Sequence, residues 1–218
     1  LSPLDGRYAN QVEALRPYFS EEALMKARVE VEIRYFIALS RLDGVRELKA
    51  VNQTQEKALL SLVENFNDRA YQRIKEFEKV TKHDVKAVEY FLKEKFDKMK
   101  LDEFREFIHF GLTSQDINNT AVPYSIKEAL TEVILPALQV VIDKLSARAK
   151  EWEKIPMLAR THGQFAVPTT LGKEFAIHLA RLKSARDEIA SHRFEAKLAG
   201  AVGNFNALQA AVPKIDWL

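Results

Sequence analysis

The side chains with the widest chemical range in this chain are its five histidines, His83, His109, His162, His178 and His192. An imidazole with an unperturbed pKa near ~6.5 exchanges protons at neutral pH, so each is a candidate acid or base, and their surroundings rank them. His162 lies in Arg160-Thr161-His162-Gly163-Gln164, where glycine leaves room for a ligand and Arg, Thr and Gln supply donors to orient it. That density of hydrogen-bonding groups favours acid–base work over a plain loop histidine. His83 stands between Thr81-Lys82 and Asp84 at the start of a helical pattern, where free backbone N–H groups and the positive end of the helix dipole attract anions. A capping segment with an incidental histidine fits His83 equally well. Thr113-Ser114 place two hydroxyls at another helix start, able to hold a carboxylate or phosphate, and ordinary capping gives the same pattern. Arg7-Tyr8 follows the Asp5-Gly6 turn and pairs a forked cation with a phenol, which suits phosphate or simple packing. His109, in Phe107-Ile108-His109-Phe110, reads as a hydrogen-bonded core residue, and His178 and His192 as structural positions in a long helix.

Several classes of chemistry are excluded. There is no cysteine, so thiol nucleophiles, disulfides and Cys-ligated zinc are absent. No GxxxxGK[ST], GxGxxG, GxSxG or HExxH pattern occurs, and the histidines are too dispersed for a metal site. Lys and Arg exceed Asp and Glu by a net charge of only +2, so no strong field draws nucleic acid or acidic lipid. The longest apolar window, 133–142, contains Pro136 and Gln139 and is far shorter than the ~20 residues that span a bilayer. With no secretory signal at the first residues, a cytoplasmic protein without metal or organic cofactor, membrane or nucleic-acid partner is expected.

The elements that must position these side chains are helices. Only 7 glycines and 7 prolines punctuate 218 residues, and 47% hydrophobic with 29% charged residues suits long amphipathic helices. Residues 1–20 read as an irregular arm. Ser20 is the expected N-cap of a helix carrying Leu24, Val31, Tyr35 and Ile37–Leu39 and ending at Asp43-Gly44. A second helix is expected from the fifties to about residue 78, with Leu59, Leu62, Val63, Phe66, Ala70 and Ile74 stepping by three and four. Thr81 is the expected N-cap of a third, with Val85, Val88, Phe91, Leu92 and Phe96 on its apolar stripe. The charged stretch 97–104 is the candidate boundary between a helical domain, 1–104, and a long-helix domain, 105–218. A capping box from Thr113 to Asp116 opens a long helix running to Trp152 and kinked at Pro136. A polar loop from Pro156 to Pro168 then leads to a second long helix, about Thr170 to Lys197. The fold class is all-α, and two such helices joined by a structured loop are the start of a bundle.

Five stretches, in order, carry a resemblance: 2–8 (SPLDGRY), 83–91 (HDVKAVEYF), 107–110 (FIHF) running into 113–119 (TSQDINN), 160–164 (RTHGQ) and 200–204 (GAVGN). Together they resemble the fumarase/aspartase superfamily in its adenylosuccinate-cleaving branch, from the first residues of the chain to the last. The resemblance implies a small helical N-terminal domain plus the first long helices of a central bundle. It implies a homotetramer with active sites shared between subunits. The implied reaction is β-elimination of fumarate from adenylosuccinate, giving AMP, and from the succinylated aminoimidazole carboxamide ribotide of purine synthesis, with no cofactor. Carried over residue by residue, His162 is the general acid, with Thr161 and Gln164 in the substrate site beside it. Thr113-Ser114 hold the succinyl part, Arg7 and Tyr8 the phosphate, and Lys82, His83 and Asp84 line the nucleotide site.

Two departures accompany the resemblance. Lys82 stands where related sequences often have asparagine. Nothing here matches the family's serine loop, Ser-Ser-x-Met-Pro-x-Lys-x-Asn-Pro, which carries the base. Together with an opening at Leu1 rather than methionine and an uncapped Leu218, this reads as roughly the N-terminal half of the enzyme, inactive alone. The alternatives are a helical interaction module that has kept the fold and lost catalysis, and a sibling lyase releasing fumarate from another substrate.

Overall fold

The structure, a computed structural model, describes residues 2–217; Leu1 and Leu218, on which the reading of a cut chain rests, lie outside them. The chain forms two compact units, one of residues up to Ile126 together with those from Phe194 onward, the other Lys127–Arg193. The division does not fall at 104. Leu101 and Phe104 within the charged stretch 97–104 are buried, and with Ile108 they belong to the core of the first unit.

In the first unit the arm is a series of turns, with the Tyr8 N–H donating to Pro3 O at 2.8 Å, followed by the short helix α1, Arg16–Phe19. Ser20 ends α1 and caps α2, Glu21–Ser40, its hydroxyl accepting from the Ala23 N–H at 3.1 Å. Helix α2 stops at Ser40, with Arg41 in right-handed geometry, so Gly44 lies in the turn beyond and not at the expected cap. The centre of α2 is enclosed: Met25, Val29, Ile33, Phe36 and Ile37 form the core, while the expected Leu24, Val31 and Tyr35 are half-buried. Phe36 meets Phe96 edge-to-face with centroids 4.9 Å apart.

The single helix expected over the fifties to 78 is two, α3 (Gln53–Glu64) and α4 (Asp68–Thr81). Asn67 breaks the run by capping α4, its side chain accepting from the Ala70 N–H at 3.2 Å. The apolar spacing carries through because Leu59, Val63 and Ile74 all bury in one core. Thr81 is not the N-cap of the next helix. It is the last residue of α4, Lys82 turns the chain with φ +53°, and His83 itself caps α5, Asp84–Lys98. The expected stripe of α5 is buried throughout.

Helix α6, Ser114–Ala129, continues through a π-helical turn, Leu130–Ile134, into α7, Leu135–Glu151. Pro136 has no N–H to give Glu132, and the wider turn, closed by Leu135 N–H to Leu130 O, absorbs the defect. The second unit also holds the strands β1 (Pro156–Thr161) and β2 (Gln164–Thr170) and the helix α8, Leu171–Ser191. The expected polar loop is therefore an antiparallel hairpin, with Thr161 opposite Gln164. Its two linking residues, His162 and Gly163, have φ +51° and +72°, the left-handed pair that matches the twist of a two-residue hairpin turn. Helix α8 ends at Ser191, short of the expected Lys197.

Gly172 lets α7 and α8 approach closely: a Cβ there would lie 2.4 Å from Ala149 O and 2.6 Å from the Glu153 backbone. Trp152 and Phe175 close the same end, edge-to-face at 4.8 Å. Within this unit Ile142 and Leu179 are buried, whereas Val141 and Ile189 of the expected stripes are exposed. From Phe194 the chain returns to the first unit, where α9 (Asn206–Ala211) buries Leu208, and Val212, Ile215 and Trp217 pack on the core. The hairpin leaves the class unchanged: the protein is mainly helical.

Candidate functional site

The site of the first unit forms where the N-termini of α5 and α6 meet. His83 is held by its own cap: Nδ1 accepts from the Lys86 N–H at 3.3 Å. A neutral ring accepting at Nδ1 carries its proton on Nε2, and Nε2 lies 3.3 Å from Ser114 Oγ. The imidazole thus joins the two helix starts singled out in the sequence. Thr113 precedes Ser114 in the same turn, and its N–H donates to Asp116 Oδ2 at 2.8 Å, one half of the expected capping box.

Arg28 fixes this arrangement from below. It is 5% exposed, at the middle of α2, and none of the sequence patterns pointed to it. One guanidinium nitrogen lies 2.7 Å from Asp84 Oδ2 and Nε donates to Asn118 Oδ1 at 2.9 Å, so a single forked cation ties α2 to the first turn of α5 and to α6. Burial opposes ionisation of Asp84, but the Val85 N–H and Arg28 outweigh it and hold the carboxyl below its usual pKa. A cavity of about 330 Å³ opens beside the cluster, lined by Glu21, Arg28, Lys82, His83 and Asp84 among others. The cavity presents an exposed imidazole, Arg28 and Lys82 beside the carboxylates of Glu21, Glu78 and Asp84. The adjoining cluster adds the Ser114 hydroxyl and two helix N-termini, and these groups can bind an anion and exchange a proton with it.

A second pair lies deeper. His109 Nδ1 is 2.6 Å from Oε1 of Glu32, which is 1% exposed, and Glu32 Oε2 has no hydrogen-bond partner among the described residues. Burial pushes the Glu32 carboxyl up; burial pulls His109 down, but the carboxylate against it more than compensates and raises it. The expectation of a hydrogen-bonded core histidine holds, with a buried acid as its partner. Its backbone is left-handed at φ +60°. The signal for this partner was Glu32 four residues after Arg28 in an apolar helix, two charges on one buried face.

The remaining candidates are elsewhere. Arg7 stacks on the Tyr8 ring at 5.5 Å, and among the described residues no hydrogen bond or ion pair joins either to the His83–Ser114 cluster. His162, Thr161 and Gln164 belong to the second unit, at the tip of the hairpin, all three exposed. No hydrogen bond of the His162 ring is formed among the described residues, which leaves both nitrogens available to a ligand. His178 is exposed on α8 and His192 ends that helix. No group of three or more His, Asp or Glu is placed to hold a metal ion, and no helix is long and apolar enough to cross a membrane, among the described residues.

The sequence pattern of the family described as Lyase matches residues 6–217, and the chain belongs to that family. Solved structures share the fold. A fumarate lyase from Mesorhizobium sp. BNC1 superposes with a TM-score of 0.71 at 22% identity, covering 92% of this chain and 45% of that one. The 3-carboxy-cis,cis-muconate lactonizing enzyme from Pseudomonas putida does so at 0.68 and 23%, covering 92% and 44%. In sequence the chain is similar throughout to adenylosuccinate lyases. It is 49% identical to that of Dictyostelium discoideum, 47% to that of Legionella pneumophila (strain Corby) and 44% to that of Escherichia coli (strain K12). Each match covers 100% of this chain and 48% of the relative, so the chain spans about half the length of these relatives.

Proposed function

We propose that the protein to which this chain belongs is a C–N lyase of purine nucleotide synthesis. It eliminates fumarate from adenylosuccinate to leave AMP, and from the succinylated aminoimidazole carboxamide ribotide. The observation that carries the reading is the contact of His83 with Ser114, which brings two motif segments together at paired helix N-termini, in a chain 44–49% identical to adenylosuccinate lyases.

In this reaction a base takes a proton from the succinyl carbon beside a carboxylate, the C–N bond breaks, and an acid returns a proton to the departing nitrogen. The developing negative charge is stabilised by fixed donors. In our reading Thr113 and Ser114 grip the succinyl carboxylate, and Arg7 and Tyr8 the phosphate. Lys82, His83 and Asp84 line the nucleotide, with Lys82 adding a cation where related sequences often have asparagine. His162 is the acid, oriented with Thr161 and Gln164 beside it. The base comes from a serine loop outside this chain, so the chain alone is inactive. The assembly is a homotetramer in the cytoplasm whose sites are completed between subunits, with no cofactor.

The test is fumarate release by the full-length protein. His162→Ala lowers kcat by about 10²-fold or more, the usual contribution of a general acid. A variant with near-normal fumarate release overturns the assignment. Wild-type protein that binds neither AMP nor adenylosuccinate by calorimetry is instead an inactive interaction module, and fumarate release from a different succinyl substrate identifies a sibling lyase.

A further inference from the structure

The segment 200–204 was singled out in the sequence, yet no residue of it has a place in the site described so far. Asp116 connects it. This carboxylate is 1% exposed and receives donors from two stretches far apart in the chain. Oδ2 accepts from the Thr113 N–H at 2.8 Å and the Thr113 hydroxyl at 3.3 Å. Oδ1 accepts from the N–H groups of Ala199 at 3.0 Å and Gly200 at 3.2 Å, 83 and 84 residues away, and lies 2.9 Å from Lys197 Nζ. Lys197 also donates to Gly200 O, so its charge is consumed in holding the loop. Phe205 N–H to Ala199 O, 2.9 Å, closes that loop at its neck. The neutralising lysine and the N–H donors offset the burial of Asp116, which stays ionised with its pKa lowered.

We infer that Asp116 is a positioning residue for the proposed lyase site: it clamps the Thr113-Ser114 turn to the loop 199–205, so that Ser114 is presented to ligand only while the loop is seated. The claim rests on the proposed role of Thr113-Ser114 in gripping the succinyl carboxylate. A carboxylate that merely anchored the returning segment would serve the fold equally from any buried position. Here it grips the residue directly before Ser114, whose hydroxyl faces His83. Charge-assisted bonds of this kind are about twice as strong as neutral ones, so the two stretches move together.

Hydrogen exchange on the full-length wild-type protein reads the clamp directly. On adding AMP with fumarate, the amides of 113–116 and of 199–205 slow together; slowing in one stretch only, or in neither, overturns the proposal. Asp116→Asn, which leaves one acceptor oxygen, raises KM for adenylosuccinate about tenfold or more with a smaller change in kcat. The double change Asp116→Asn with Lys197→Met removes the orphaned ammonium and recovers thermal stability, while KM stays high. Recovery of KM with stability makes Asp116 an anchor of the fold and overturns the proposal. Wild-type protein without adenylosuccinate turnover defeats the proposed reaction, whereas faster ligand-free exchange of both stretches together in either variant still reads the clamp.

Discussion

Replacing Arg28 by methionine removes a side chain that ties α2 to the first turn of α5 and to α6 at once. Methionine keeps most of the apolar stem and deletes the fork, so the loss is chiefly electrostatic. The guanidinium–Asp84 contact at 2.7 Å is charge-assisted, and such bonds contribute about 1.5–3 kcal/mol, with about 1 kcal/mol for a bond to a neutral amide such as Asn118. Asp84 is 42% exposed at its side chain and regains water when the arginine leaves, which puts its share at the low end. The net cost is about 2–3 kcal/mol, a shift of the urea midpoint by roughly 1 M for a protein of this size.

The pH dependence gives a second, independent reading. Asp84 has a folded pKa below its unfolded value of 3.8, so its contribution is present above about pH 4 and is lost as the pH falls through the folded pKa. Without Arg28 the folded pKa moves back up and the acid-side slope flattens. Urea titrations of wild type and variant at pH 7 and between pH 3 and 5 measure both effects. A variant within about 0.5 kcal/mol of wild type at pH 7, the range of neutral surface changes, refutes the account of Arg28 as a buried tie.

Gly172→Ala forces a methyl group onto backbone atoms of Ala149 and Glu153 that cannot rotate away, and lowers stability by about 1–3 kcal/mol as overpacking does; a thermal midpoint equal to wild type refutes the close approach of α7 and α8. Glu32→Gln weakens or reverses a pH trend. In the wild type the raised pKa of His109 gives stability that is full below pH 6.5 and is lost as the pH rises through the folded value. With the carboxylate gone, burial, the largest influence on His109, pulls its pKa down with Glu89 opposing it, so the preference for pH 6 over pH 8 shrinks or reverses; an unchanged ratio of urea midpoints at those two values counts against the pair.

The core was legible where amphipathic spacing is undisturbed: the stripe of α5 and the positions Leu59, Val63 and Ile74 bury as read. It was not legible at boundaries set by a single side chain. Asn67 ends one run and His83 starts another because local acceptors outcompete continued helix, a choice that periodicity does not encode. The hairpin escaped notice because its turn is His-Gly, and histidine at positive φ is uncommon. Of the site, the side chains at helix starts were readable from their type and place. Arg28 and Glu32 were not, and Asp116 was readable only as a capping acid, since each acts through partners contributed by distant segments: Asn118 lies 90 residues from Arg28, His109 lies 77 from Glu32, and Ala199 lies 83 from Asp116.

The return of the chain at Phe194 has a consequence for how the protein comes off the ribosome. Asp116 waits for donors 83 residues further on, and at synthesis rates of about 5–20 residues per second that is roughly 4–17 s during which it is translated but unmatched. For that interval a buried-type carboxylate and the apolar seats of Leu208 and Ile215 stand open in a nascent chain already long enough to collapse. The first unit is therefore sealed by residues made well after its central helices. Its vulnerability to capture by chaperones or to aggregation is set by how fast the intervening helices and hairpin are spun out, more than by the final strength of its core.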